Sequence, residues 1–180
     1  MSENPTDGAA ATGRPAAGQT PQPRFLILAQ YVKDLSFENP GGPQRLQEAR
    51  TQPNIQIRVD VQGEARGDNR HEITLRLEIE AKVRDQALFL LDLAYAGLFE
   101  IANVPRESLQ PLLMVECPRL IFPFARRIVA DLTRDGGFPP LMLDPIDFVQ
   151  LYRARLARGQ GEPQAAGTSG DEGAPPAGSA

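Results

Sequence analysis

Apolar residues recur at every second position through part of the first half of this chain, and at helical spacing near its end. Ile55, Ile57, Val59 and Val61 alternate with Gln56, Arg58, Asp60 and Gln62, the period of a strand with one wet face. Beyond the turn signal Gly67-Asp68-Asn69, Ile73, Leu75, Leu77, Ile79, Ala81 and Val83 alternate with Thr74, Arg76, Glu78, Glu80, Lys82 and Arg84. Alanine, leucine and glutamate are good helix formers, but propensity is a weaker guide than so strict a period, and a strand is expected. The run Phe25 to Phe37 is apolar on both sides and reads as a first strand. Ala87 to Ala102 is apolar on both faces except for Asp92 and Glu100, and is expected to be a strand because it follows the hairpin.

Between the first and second strands, Glu38 to Pro53 holds prolines, a Gly pair and Leu46 as its only large apolar residue, which predicts a long surface crossing. The second half changes period. Residues 105 to 117 predict a short amphipathic helix entered through Pro105 and interrupted near Pro111. Pro118 and Pro123 stiffen the entry to a helix in which Phe122, Ala125, Ile128, Val129 and Leu132 form the apolar stripe. Gly136-Gly137 stops it. The connector Phe138 to Leu143 has no period, and its Phe138, Leu141, Met142 and Leu143 must lie under a neighbour or beside something that accepts apolar partners. Asp144-Pro145 predicts the N-cap and first position of a last helix that carries Phe148, Leu151 and Tyr152. Strands first and helices last define an α+β fold: a four-stranded antiparallel sheet with helices on one face. The first and last strands carry more apolar surface than two or three short helices cover, so association between copies is expected.

Composition adds boundaries. Residues 1–24 contain no apolar residue larger than alanine after Met1, and residues 159–180 repeat that composition with a mild acidic bias; both are expected to be disordered tails around one domain, 25–158. Nothing resembles a secretory leader or a bilayer-spanning run, and the single cysteine, Cys117, fits a reducing cytoplasm; a cytoplasmic protein without membrane insertion is expected. A net charge of −4 with no basic stripe gives no reason to propose nucleic acid.

Catalytic chemistry is poorly represented, and no enzyme, cofactor or metal is expected. His71, the only histidine, sits at the polar start of a strand, and Cys117 precedes a proline with no histidine near it in sequence. CxxC, GxSxG, HExxH and phosphate-cradling glycine loops are all missing. Asp92, the one acid isolated in an apolar run, reads equally as the lip of a strand or as a docking acid for a basic partner.

Three blocks carry a resemblance: YVKDLSFENP at 31–40, ECPRLIFPFAR at 116–126 and GGFPPLMLDPIDF at 136–148. They are similar to the signature blocks of the SecB family of protein-export chaperones, and the likeness runs from about Phe25 to Tyr152. It implies a homotetramer, a dimer of dimers, that binds unfolded precursor proteins in apolar grooves without ATP. It also implies that they are kept export-competent and passed to the SecA motor. On the matching positions, Asp34, Glu38, Leu90 and Asp92 are implied as the SecA-docking surface, with aspartate at 92 where glutamate is usual. Leu91, Leu93 and Tyr95 are implied in tetramer assembly. Leu46, Phe138, Leu141, Leu143, Phe148 and Leu151 are implied as the client groove, although the crossing loop lacks the aromatic residues some members carry there. The alternative is a SecB-like chaperone or adaptor dedicated to a single partner, such as a toxin-neutralising one.

Overall fold

The computed structural model describes residues 22–42, 53–84 and 86–159. Leu46, most of the crossing loop and most of both expected tails therefore lie outside the described residues.

The four expected strands form: β1 (Arg24–Glu38), β2 (Asn54–Ala65), β3 (Arg70–Val83) and β4 (Gln86–Ala102). They pair antiparallel in the order β1-β4-β3-β2. β1 and β2, consecutive in sequence, thus occupy opposite edges. The chain from Glu38 to Asn54 must cross three interstrand spacings, about 14 Å, which a two-residue hairpin turn cannot do. Two hairpin turns relieve their backbone through left-handed residues, Gly67 and Asn69 between β2 and β3, and Arg84 between β3 and β4. β1 is bulged twice against β4, between Ile27 and Ala29 and between Val32 and Asp34. Each bulge adds twist to this edge strand.

The alternation of β3 sets the two faces of the sheet. Ile73, Leu75, Leu77, Ile79 and Ala81 are buried beneath the helical layer together with Leu91, Leu93 and Phe99 of β4. Gly97 is small because Phe99 and Ile121 crowd it; a Cβ there would stand 2.7 Å from the Phe99 ring.

Three helical segments follow: α1 (Arg106–Pro111), α2 (Cys117–Asp135) and α3 (Phe148–Gly159). α2 differs from expectation, because it starts at Cys117, before the prolines instead of at Phe122, and holds Pro123 in its interior. The widened turn Leu112–Glu116, in which the Cys117 N–H donates to the Leu112 carbonyl five residues back, joins α1 to α2 and makes room for the Pro118 ring. Gly136-Gly137 ends α2 as expected. Gly137 is left-handed, the Phe138 N–H donates to the Thr133 carbonyl at 3.0 Å and the Gly137 N–H to the Arg134 carbonyl at 2.9 Å.

α3 starts at Phe148 and not at Asp144-Pro145. The capping carboxylate is Asp147, whose Oδ1 accepts from the Gln150 N–H at 3.0 Å. Asp-Pro-Ile-Asp offers two caps three residues apart, and Phe148, almost wholly buried against Phe122, fixes which one is used. Fully buried Thr133 ties the connector to α2: its Oγ1 accepts from the Leu141 N–H at 2.9 Å and donates to the Val129 carbonyl at 2.9 Å.

Candidate functional site: a polar sheet face and an apolar groove

The sheet face away from the helices collects the acids singled out in sequence. Ser36 pairs with Asp92, Glu38 with Leu90 and Asp34 with Ala94, so Asp34, Glu38, Leu90 and Asp92 share that face on two adjacent strands. Asp34 and Glu38 are exposed; Leu90 and Asp92 are half-buried. Beside them lies a shallow hollow of about 360 Å³, whose lining includes Glu38, Glu78, Glu80 and Asp92. Sequence reasoning missed Arg76, which reaches across from β3 to bond Asp92 and lies 3.3 Å from Glu78. The acids therefore do not meet as an unbalanced cluster. The signal was there in the alternation: Glu78 faces Asp92 across the β3–β4 ladder, and two facing acids call for a cation.

Further along the same face a second polar group centres on Glu72, whose carboxylate is buried. Lys33 Nζ donates to Oε1 at 2.5 Å, and Tyr31 Oη and Arg66 Nε donate to Oε2 at 2.9 and 3.1 Å. The Lys33 hydrogen bond holds the Glu72 carboxyl down at about 2, with Arg66 and Tyr31 adding to it against the burial that opposes it. Edge strand β1 is thereby fastened to β3, two strands away.

The apolar groove lies between β2 and α3. Val59, Val61, Met114, Leu151 and Tyr152 line an open trough of about 900 Å³, with Arg155 at its mouth. Of the six residues expected to line a groove, the structure puts Leu151 in this trough and leaves Leu141 half-buried against the core. Phe138, Leu143 and Phe148 are core residues, each at most 5% exposed. Phe138 packs on Phe89 with ring centres 5.1 Å apart, and Phe148 meets Phe122 edge-on at 6.1 Å. Of Phe138, Leu141, Met142 and Leu143 in the connector, only Met142 stands out into solvent, above a second hollow of about 780 Å³ beside α2. Val59, Val61 and Met114 were read as strand or helix positions in the sequence, because nothing in a two-residue period says that a strand is an edge.

Leu91, Leu93 and Tyr95 sit on the helix-facing side of β4 and are buried within the chain. Tyr95 stacks on Phe124, which is itself exposed. The open apolar surface lies on β1 instead, where Leu26, Ile27, Leu28, Tyr31, Val32 and Leu35 are each 39–44% exposed along the unpaired edge. Cys117 is wholly buried and burial pushes its thiol up to about 12, which leaves it inert. His71 is half-buried, with its pKa lowered by burial. Among the described residues no cluster of three metal-ligating side chains occurs, and no helix is long and apolar enough to cross a membrane.

An α+β chain with a charged open sheet face and a trough of apolar side chains beside a free strand edge has the makings of a polypeptide-binding protein. Comparison with known proteins agrees. The family described as preprotein translocase subunit SecB matches residues 18–159, and the chain belongs to the SecB family. Protein-export protein SecB of Parvibaculum lavamentivorans is 54% identical over 156 residues, covering 86% of this chain and 92% of that protein. Its counterpart in Rhodopseudomonas palustris is 53% identical over 152 residues, covering 84% and 96%. Among solved structures, a SecB-like chaperone of Mycobacterium tuberculosis in complex with a ChAD peptide from the HigA1 antitoxin shares the fold, with a TM-score of 0.57 at 18% identity over 68% of this chain and 91% of that one. The relatives at high identity carry the protein-export name, so the dedicated-partner alternative is not favoured.

Proposed function

We propose that this chain is an ATP-independent holdase of the cytoplasm that keeps precursor proteins unfolded and hands them to the SecA motor of the export machinery. The observation that carries the reading is the trough between β2 and α3. Its floor of Val59, Val61, Met114, Leu151 and Tyr152 is rimmed by Arg58, Asp60, Arg155 and Arg158 and bordered by the free edge of β2, so an extended chain finds side-chain contacts and main-chain hydrogen bonds together. Such a surface accepts many sequences, as a holdase requires.

Two further parts belong to the same proposal. The exposed apolar edge of β1 supports pairing with a second copy and a tetramer built as a dimer of dimers, in which Tyr95 would act from beneath by stacking on Phe124 while Leu91 and Leu93 share its buried face of β4. Asp34, Glu38, Leu90 and Asp92 would form the SecA-docking surface on the open sheet face. The client groove is redrawn around Val59, Val61, Met114, Leu151 and Tyr152, while Leu46 keeps its proposed place in the crossing loop outside the described residues.

Aggregation of a slowly folding precursor, followed with and without the chaperone, tests this. Val59→Ser combined with Leu151→Ser is expected to weaken suppression of aggregation while native mass spectrometry shows the assembly intact. A variant that suppresses aggregation as well as the parent would show that clients bind elsewhere.

A further inference from the structure

Arg155 reaches from α3 across the mouth of the trough to the edge strand. Its Nη1 donates to the Val61 carbonyl at 2.5 Å and stands 4.0 Å from Asp60 Oδ1. β2 has β3 on one side only, and in an antiparallel ladder alternate residues direct both backbone groups to the same side. A Val61 carbonyl met by a side chain from outside the sheet puts the free edge at Val61 and, by the same alternation, at Val59 and Ile57. These are the acceptors and donors that an added strand would use.

We propose that Arg155 is a specificity-determining residue for client binding: it occupies the edge acceptor at Val61 and so limits how far an extended client runs along β2. This rests on the trough being the client groove. A short segment pairs with the part of β2 up to Val59 and leaves the tether in place. A longer one gains the Val61 contacts only by displacing a guanidinium from a carbonyl, and a hydrogen bond from a charged donor is among the stronger ones to break. Length beyond the tether therefore adds little affinity in the parent protein.

The test compares two unfolded apolar peptides of the same composition, of about six and about twelve residues, the shorter matching the span Asn54–Val59. The parent is expected to bind both within a factor of about two, whereas Arg155→Ala binds the longer peptide about tenfold more tightly and the shorter one unchanged, the scale of one charge-assisted hydrogen bond. Arg155→Lys, which keeps the charge and loses the planar fork, is expected to fall between them. A general loosening of α3 would change both peptides alike, so equal shifts overturn the proposal, as does a longer peptide that gains nothing in the Ala and Lys variants. Val59→Ser separates the underlying reading: if neither peptide is weakened by it, the trough is not the client groove, and the failure lies there and not with Arg155.

Discussion

Replacing Glu72 with glutamine removes one charge from a carboxylate that three donors on β1 and the β2–β3 turn share, and the structure sets the size of the effect. A fall from the ordinary value of 4.5 to about 2 corresponds, at 1.36 kcal/mol per unit, to roughly 3 kcal/mol of pH-dependent stability. The donors are not sealed from water. The Lys33 and Arg66 side chains are 38% and 46% exposed, so screening reduces the expected cost of Glu72→Gln to about 1–2 kcal/mol at pH 7. The sign follows from a lowered carboxyl: its contribution is complete above about pH 4.5 and is lost as the pH falls through about 2. Urea unfolding of parent and variant at equal subunit concentration, at pH 7, 5 and 3, is expected to show a stability gap that is full at pH 7 and shrinks by pH 3. A gap of the same size at every pH would mean that shape, not charge, matters at Glu72. No gap at pH 7 would refute the role of the cluster in fastening β1.

Three other outcomes are expected. Asp34→Ala or Asp92→Ala lowers the on-rate for SecA and flattens its dependence on salt, measured by surface binding at several ionic strengths, while client holding persists; unchanged binding at low salt removes these residues from the docking surface. Light scattering at micromolar concentration gives a mass of about four subunits, and a lone species at the 19.6 kDa of the single chain defeats the proposed assembly. Phe148→Ala lowers unfolding stability by about 3–5 kcal/mol because the ring is buried against Phe122, whereas Leu151→Ser in the trough costs far less; similar losses for both would contradict the division between core and groove.

Strand positions were legible in the sequence because burial of one face imposes a period of two, and β3 carries that period from Ile73 to Ala81. Strand order was not. Whether β2 is central or outermost leaves the same alternation in Ile55 to Val61, so the trough along its edge was invisible and Val59 and Val61 read only as positions of a strand with one wet face. Helix ends failed for a related reason. Pro118 and Pro123 read locally as the entry to a helix, yet a widened turn at Leu112–Glu116 lets the helical path run on through Pro118, and Pro123 lies inside α2. Asp147 and Asp144 are equal as caps until Phe148 is packed. The resemblance to SecB supplied Asp34, Glu38, Leu90 and Asp92 as a group, and the register puts them on one face. What it could not supply was Arg76, whose relation to Asp92 depends on β3 lying beside β4. The groove positions fared worst because apolar residues in a connector look alike whether they line a surface or fill a core, and only packing separates Phe138, Leu143 and Phe148 from Met142.

The two candidate surfaces sit on opposite sides of one four-stranded sheet, and this has a mechanical consequence. The trough uses the helical side and the β2 edge, and Asp34, Glu38 and Asp92 lie on the open side across β1 and β4, although Arg58 of β2 borders both the trough and the hollow beside the acids. A client seated along β2 therefore leaves Asp34, Glu38 and Asp92 uncovered, and a basic partner on those acids leaves the trough open. Both can be occupied together, as the proposed hand-over of a client requires. If instead a client bound across the open sheet face, it would compete with the motor for the same surface, and saturating client would abolish docking. Binding of SecA to client-loaded and empty protein at equal salt distinguishes the two arrangements: similar affinities are expected from the separation of the faces, and mutual exclusion would place clients on the acids.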